Sequence, residues 1–211
     1  ATLLLSELGP ANGLDAAQSA QLASALEQLC LTPLLPLTTE SLSDLPTSSR
    51  LPELDFDLPL ADSGAPASLA DLAALMDEHL TPEDPLADYP RRLASSEAAP
   101  AVLNGFLTGS IDAVLRLADG RFVVVDYKTN RLSPSPADPL TLAHYTAPSM
   151  AEAMMQAHYP LQASLYCVAL HRHLSLRLPG YDPETHLGGV GYLFVRGMAG
   201  PDTPVVDGTT C

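Results

Sequence analysis

Residues 105–131, GFLTGSIDAVLRLADGRFVVVDYKTNR, decide the fold that this sequence predicts. The stretch holds two apolar segments, 107–117 and 121–128, in which Val, Ile, Leu and Phe predominate. Residues of these types favour β-strands. The pair Asp119-Gly120 lies between the two segments, and an Asp-Gly pair in this position is a strong hairpin signal. The sequence therefore predicts an antiparallel β-hairpin.

Two loop lengths fit this hairpin, and they place different residues opposite each other. A two-residue loop, Asp119-Gly120, would place Asp112 opposite Tyr127. A three-residue loop, with Gly120 in the left-handed conformation, would place Asp112 opposite Asp126. We favour the three-residue loop because it also pairs apolar residues on the other face of the hairpin. These pairs are Leu115 with Val123 and Ala113 with Val125.

The favoured register brings two carboxylates and one ammonium group to the same place. Side chains alternate along a strand, so Asp126 and Lys128 point to the same side as Asp112. Opposite carboxylates repel each other unless a cation lies between them or one is protonated. Carboxylate oxygens suit Mg²⁺, which commonly binds one or two carboxylates and a substrate phosphate. The three side chains therefore suggest metal-assisted phosphoryl hydrolysis, although most Asp-x-Lys pairs on strands are solvated surface.

Three ordered motifs give the sequence a resemblance to a known family: GSIDAV at 109–114, VVVDYKTN at 123–130 and YPLQASLYCVALHR at 159–172. The sequence resembles the RecB-type nuclease domains, found in the C-terminal part of the β subunits of bacterial exodeoxyribonuclease V. These domains belong to the PD-(D/E)XK nuclease superfamily. The similarity continues at 180–198 and, more weakly, at 52–59. The resemblance implies an α/β fold with a restriction-endonuclease-like core, in which helices flank a mixed central β-sheet.

The resemblance also implies the chemical roles of the hairpin residues. Asp112 and Asp126 would bind Mg²⁺, and the backbone carbonyl of Tyr127 would be a further metal ligand. Lys128 would orient the attacking water or stabilise charge that develops on the phosphate.

Three further residues match family positions around the catalytic centre. Gln162 and Tyr166 are four residues apart on one helix face and match the family's Q-x-x-x-Y motif. By resemblance they would place the substrate or support the site. Glu53 matches an acidic family position near the site, and a solvated acidic face explains this residue equally well.

By resemblance, the chain is the nuclease domain of a RecB-type helicase-nuclease and cuts DNA, single strands above all, in double-strand break repair and recombination. The partners implied are RecC- and RecD-type subunits and RecA. The family also carries a metal-ligating histidine upstream of the strand that contains Glu53, and no histidine precedes Glu53 here. An alternative is therefore a nuclease-fold docking module that contacts RecC or RecA without independent catalytic activity. The joint presence of Asp112, Asp126 and Lys128 favours the active nuclease.

Charge and cysteine content limit the function classes further. The formal net charge of −15 argues against a free-standing DNA-binding protein, because duplex binding uses a basic footprint. Residues 1–100 carry 16 acidic and 3 basic residues, whereas residues 101–211 carry 9 and 7. DNA can therefore approach the second half, with other domains or subunits to hold it. The three scattered cysteines fit a reducing cytoplasm better than a disulfide framework.

The chain divides into a helical and Pro-rich N-terminal segment, 1–50, and a nuclease domain, 51–211. We interpret it as a fragment of a longer protein, incomplete at the N-terminal side and truncated at the C-terminal side. Capping signals, proline positions and apolar periodicity predict the remaining elements. These are a helix within 1–31 capped by Asp15, a strand over 53–60, a helix over 67–80 opened by Ser68 and Asp71, a loop over 81–100, a helix opened by Ser149 and Glu152 that runs to about His158, a helix from Pro160 to about Leu176, and a strand over 188–196.

Overall fold

A computed structural model describes residues 12–60, 67–206 and 209–210. Its centre is a four-stranded sheet in the order β1-β2-β3-β4, formed by Arg50–Pro59, Phe106–Arg116, Phe122–Lys128 and Leu187–Phe194. The β1–β2 and β2–β3 pairs are antiparallel, and the β3–β4 pair is parallel. Two short strands, β5 (Val205–Val206) and β6 (Thr209–Thr210), form a separate pair. The predicted mixed sheet is confirmed.

The described part of the chain also contains six α-helices. They are α1 (Ala16–Leu31), α2 (Leu69–His79), α3 (Tyr89–Ala94), α4 (Ala147–Gln156), α5 (Tyr159–Arg177) and α6 (Pro183–His186), with 3₁₀ turns at Thr47–Ser49 and Leu142–His144. Asp15 caps α1 and Ser68 caps α2 through capping boxes, as predicted. Residues 1–11 of the predicted first helix lie outside the described residues. None of the helices in the described ranges has the length and apolar character needed to cross a lipid bilayer.

Two local predictions are wrong. Helix α3 lies inside the segment 81–100, which was predicted to be a loop. Helix α4 begins at Ala147 rather than at Ser149, because the Thr146 hydroxyl accepts a hydrogen bond from the Ser149 N–H. The proline at the start of α4 suits this earlier beginning, since the first turn of a helix does not need its N–H groups. Glu152, the other half of the predicted capping box, pairs instead with Arg92.

The hairpin adopts the three-residue loop. The Leu117 N–H donates to the Arg121 carbonyl at 2.8 Å, and the Gly120 N–H donates to the Leu117 carbonyl at 3.0 Å. Gly120 has φ +91°, a backbone conformation that a glycine adopts at little cost. Ala113 pairs with Val125 and Leu115 pairs with Val123. The favoured register is therefore confirmed from the Arg116–Phe122 pair to the Ala113–Val125 pair, but the ladder does not extend to the predicted Asp112–Asp126 pair.

Apolar clusters cover both faces of the sheet. On one face, Leu34, Leu42 and Leu45 pack against a group that includes Leu115 and Val123. The other face carries helix α5, whose buried side chains meet the buried side chains of β2 and β3. That cluster contains Ile111, Val114, Val124, Tyr166, Ala169, Leu170 and Leu174. Since α5 carries both Gln162 and Tyr166, this packing holds the predicted Q-x-x-x-Y motif over the C-terminal end of β3.

Candidate active site

The strand pairing is interrupted at Asp112. Strands β1 and β2 pair immediately before and after Glu53 and Asp112, but not at these two residues. Glu53 has φ +49°, a left-handed conformation that is uncommon for residues other than glycine. The β2–β3 ladder ends at the Ala113–Val125 pair, so Asp112 comes directly before the first residue of β2 that pairs with β3. Its carboxylate accepts a hydrogen bond from the Tyr127 N–H at 2.9 Å.

Asp126 and Lys128 form a buried ion pair at the end of β3. The Lys128 Nζ lies 2.5 Å from the Asp126 Oδ2, and the two side chains are 12% and 5% exposed. Within the described ranges, this buried Oδ2 has no hydrogen bond of normal geometry. Burial raises the pKa of Asp126, the Lys128 ammonium group opposes that rise, and the Asp112 charge adds to it. This carboxylate oxygen is thus held inside the protein beside the Lys128 ammonium group.

Helix α5 completes a ring of polar contacts around this pair. Lys128 Nζ donates to Gln162 Oε1 at 3.3 Å, and Gln162 Nε2 donates to the Tyr166 hydroxyl at 3.0 Å. The Tyr166 hydroxyl points back to Asp126 Oδ1 at 3.5 Å. Burial and the nearby carboxylate charges raise the pKa of Tyr166 to about 12, so its hydroxyl remains a neutral donor at ordinary pH. The structure therefore brings Asp126, Lys128, Gln162 and Tyr166 together.

Glu53 lies across from Asp112 at the interruption of the β1–β2 ladder. It is not one of the residues that form this ring of contacts. Its Oε2 accepts a hydrogen bond from the Ser110 hydroxyl at 3.4 Å. The residue is exposed, in contrast to the buried Asp126. Its position beside the interruption at Asp112 puts it at the margin of the site.

Two tyrosines that the sequence reasoning did not select form a wall of the site. Lys128 Nζ lies 3.9 Å from the ring centroid of Tyr159 and 5.1 Å from that of Tyr192. Tyr192 is opposite Asp126 in the parallel β3–β4 register. One signal was available in the sequence: Tyr159 precedes Gln162 by three residues, and residues three apart share a helix face. Lys128 is also the single lysine of the 211 residues.

The donor set fits a hard divalent cation bound through few protein ligands. In the described residues, no group of three or more His, Cys, Asp or Glu side chains is placed to hold a metal ion. The oxygen atoms available to a metal ion at this site are those of the two carboxylates, Asp112 and Asp126, and backbone carbonyl oxygens such as that of Tyr127. The buried Asp126 Oδ2 lies beside the Lys128 ammonium group and makes no hydrogen bond of normal geometry among the described residues, so it keeps lone pairs for a metal cation. Mg²⁺ tolerates such a set because it keeps several of its waters.

The known proteins to which this chain is similar include RecB subunits from several bacteria. The chain is 50% identical over 196 residues to the RecBCD enzyme subunit RecB of Mycolicibacterium smegmatis, which covers 90% of this chain and 18% of that protein. It is 47% identical over 201 residues to the RecB subunit of Mycobacterium tuberculosis (92% and 18%). It is 37% identical over 165 residues to RecB of Escherichia coli K12 (76% and 12%). The chain therefore spans less than one fifth of the length of these curated relatives.

The model of the PD-(D/E)XK nuclease superfamily matches residues 18–208. This match includes all four strands of the sheet and every residue of the polar ring around Lys128. The mixed sheet, the Asp-x-Lys pair at the end of β3 and the helix that covers it agree with this match, and the chain belongs to the PD-(D/E)XK nuclease superfamily.

Proposed function

We propose that this chain is the Mg²⁺-dependent deoxyribonuclease domain of a RecB-type helicase-nuclease, which hydrolyses phosphodiesters in double-strand break repair and recombination. The observation that carries the proposal is the buried pair formed by Asp126 and the chain's single lysine, with 2.5 Å between Oδ2 and Nζ. Burying two charges is unfavourable unless they serve each other or a function. Perturbed titratable groups of this kind are typical of catalytic sites.

Asp112 and Asp126 would hold the Mg²⁺, with the carbonyl of Tyr127 as a further ligand. When bound, Mg²⁺ would supply Lewis-acid stabilisation of the phosphate and lower the pKa of a coordinated water. Asp112 and Tyr127 are already linked by the hydrogen bond of 2.9 Å from the Tyr127 N–H. This bond limits the movement of the carboxylate, so the ligand positions are preorganised.

Lys128 orients the attacking water and stabilises the charge that develops on the phosphate oxygens. Attack of water on phosphorus forms one P–O bond and breaks the bond to the 3′ oxygen. The water releases one proton as it attacks and the 3′ oxygen takes up one proton as it leaves as the 3′-hydroxyl, so the step needs no net proton. Gln162 and Tyr166 hold Lys128 and Asp126 in place through contacts of 3.3 and 3.5 Å. Their role is to support the site, and Glu53 contributes at its margin.

The substrate is DNA, single strands above all, and RecC- and RecD-type subunits and RecA are the partners. The names of the relatives support this assignment, since they describe the RecB subunit of a RecBCD enzyme. The net charge of −15 supports it as well, because an acidic chain needs other domains or subunits to retain DNA. A cytoplasmic location is part of this proposal, and the three scattered cysteines support it because they fit a reducing compartment.

A nicking assay on single-stranded DNA with Mg²⁺ tests the proposal. The assay compares this chain, a form extended upstream, and the extended form carrying Lys128→Ala. Cutting by the extended form, loss of cutting in Lys128→Ala and loss of cutting when EDTA removes the metal are the expected results. If Lys128→Ala cuts as fast as its parent, the proposed mechanism is wrong.

A second candidate function is a docking module that contacts RecC or RecA without catalysis. The observation that favours it is the lack, in the described residues, of a group of three or more side chains placed to hold a metal. An open apolar groove of about 410 Å³, bordered by 32–37, α4 and β4, offers a surface for such contact. This function is supported if neither this chain nor the extended form cuts DNA while either one binds the partner subunit.

A further inference from the structure

The Lys128 ammonium group lies against two aromatic rings as well as against Asp126 and Gln162. Its Nζ is 3.9 Å from the Tyr159 ring centroid and 5.1 Å from the Tyr192 centroid. The two rings are stacked, with centroids 5.4 Å apart and planes inclined by 7°. The negative face of an aromatic ring attracts an ammonium group. The Lys128 ammonium group therefore contacts one carboxylate, one amide oxygen and two ring faces.

We propose that Tyr159 and Tyr192 form an aromatic cradle that positions the Lys128 ammonium group for the reaction. The inference rests on the proposed nuclease function and assigns both tyrosines as positioning residues. Neither ring supplies an acceptor that competes with water or phosphate for the lysine's N–H groups. The cradle thus restricts where the ammonium group lies and adds no strong hydrogen bond to those that the group makes with Asp126 and Gln162.

Lys128 needs contacts other than Asp126 because this carboxylate has two roles. In the structure this carboxylate is the lysine's ion-pair partner at 2.5 Å, and it is also a proposed ligand of Mg²⁺. A carboxylate that binds a cation has less negative charge to offer an ammonium group. The ring faces are contacts of Lys128 that do not depend on Asp126. They would keep the lysine in the site if Asp126 held the metal ion.

Both rings are themselves fixed from other elements of the fold. The Tyr192 hydroxyl, on β4, donates to the Tyr159 carbonyl at 2.9 Å and lies 3.1 Å from Gln162 Oε1. Tyr159 is the first residue of α5 and follows His158, which has φ +55°. The His158 Nδ1 lies 3.1 Å from the hydroxyl of the fully buried Tyr89. A strained residue held by a buried partner at this junction is consistent with a functional constraint on the orientation of Tyr159.

The single lysine makes a direct spectroscopic test possible. The 211-residue chain labelled with ¹³C-lysine gives one Cε–Hε correlation, and protons over a ring face resonate upfield of those in a solvated lysine. We expect an upfield Lys128 signal in the parent and in Tyr159→Phe, which retains the ring. In Tyr159→Leu the signal should move downfield, toward the position of a solvated lysine, because only the more distant Tyr192 ring remains. Tyr181→Leu is the matched control, because it removes a half-buried tyrosine that contacts His171 and His186 instead.

Cleavage kinetics then test the role of this position. We expect Tyr159→Leu to lower kcat roughly tenfold with little change in KM, and Tyr159→Phe to restore kcat to within about twofold of the parent. A Lys128 signal that stays upfield in Tyr159→Leu, or equal kcat values for the Leu and Phe variants, would overturn the proposal. Failure of the nuclease function itself shows differently, as a Lys128→Ala variant that cuts as fast as the parent.

Discussion

The Asp112 carboxylate accepts the backbone N–H of Tyr127 at 2.9 Å and so takes the place of a strand partner. In an uninterrupted ladder with this register, that N–H would bond to the carbonyl of Ile111. The ladder instead stops at Ala113 and Val125. One acidic side chain therefore ends the pairing of two strands, and its carboxylate is placed where the strands separate.

Replacing Asp112 by Ala should abolish cleavage with little loss of stability. The carboxylate supplies one hydrogen bond to an exposed strand end, which contributes about 1 kcal/mol, so the melting temperature should fall by roughly 2–4 °C. Cleavage should fall by about 100-fold or more, since an electrostatic group at the reacting centre is lost. Thermal melts followed by circular dichroism, without metal, and the nicking assay measure the two effects. A fall of the melting temperature by well over 10 °C would mean that Asp112 is mainly structural.

Replacing Tyr166 by Phe should impair cleavage moderately. The ring packs edge-on against Phe56, with centroids 6.1 Å apart, and this contact is retained in the variant. Only the hydroxyl is lost, and its bond to Asp126 Oδ1 is long at 3.5 Å. We expect kcat to fall about fivefold, the equivalent of roughly 1 kcal/mol.

The pH profile of cleavage provides a second measurement for Tyr166. Because its pKa is raised to about 12, the hydroxyl stays protonated at every pH at which the protein can be assayed. The parent and Tyr166→Phe should therefore have profiles of the same shape. A decline of activity near pH 10 in the parent alone would show that the Tyr166 hydroxyl ionises there and contradict its assignment as a neutral donor.

The hairpin could be predicted from the sequence because its determinants are local. An Asp-Gly turn, a glycine in the left-handed conformation and the alternation of apolar residues fix the register of strands that are neighbours in the chain. The caps Asp15 and Ser68 are equally local, since each side chain bonds within its own first turn. The start of α4 was missed because Thr146 and Ser149 are both good caps, and propensity alone does not choose between them.

The aromatic wall of the site could not be predicted in the same way. Tyr192 reaches Lys128 because β4 pairs with β3 in parallel after a connection of nearly 60 residues. Nothing in the strand sequences sets the register of that pair, and a shift by one residue would move Tyr192 to the other face of the sheet. The interruption at Asp112 could not be predicted either. Pairing residues outward from the hairpin loop assumes that the ladder is continuous.

Replacing Gly120 by Ala should destabilise the hairpin without affecting the chemistry. Gly120 has φ +91° and no atom within 4 Å of the position that a Cβ would take, so the cost comes from the backbone alone. A side chain in this conformation costs about 1–2 kcal/mol. Urea unfolding should show this loss, whereas kcat of the folded variant should equal that of the parent. An unchanged unfolding midpoint would contradict the three-residue loop with a left-handed glycine.

Replacing Lys128 by Met should destabilise the protein in a pH-dependent way. Burial is the main cause that raises the pKa of Asp126 above 3.8, and Lys128 opposes it. A carboxyl group whose pKa is raised on folding binds its proton more tightly in the folded state, so its contribution to stability falls as pH rises through that pKa. Without Lys128 the pKa rises further, and the loss of stability becomes larger and extends to higher pH.

The expected loss in Lys128→Met, relative to the parent, is small near pH 4 and about 2–4 kcal/mol near pH 8, because an uncompensated buried carboxylate remains. Urea unfolding without metal at the two pH values measures it. The double variant Asp126→Asn with Lys128→Met is the control, since neutral side chains at both positions should recover most of the stability at pH 8. A loss in Lys128→Met that is equal at both pH values would show that the missing contact is one of packing. The unpaired charge of Asp126 would then not be the cause of the lost stability. That result would contradict an electrostatic role for the Asp126–Lys128 pair.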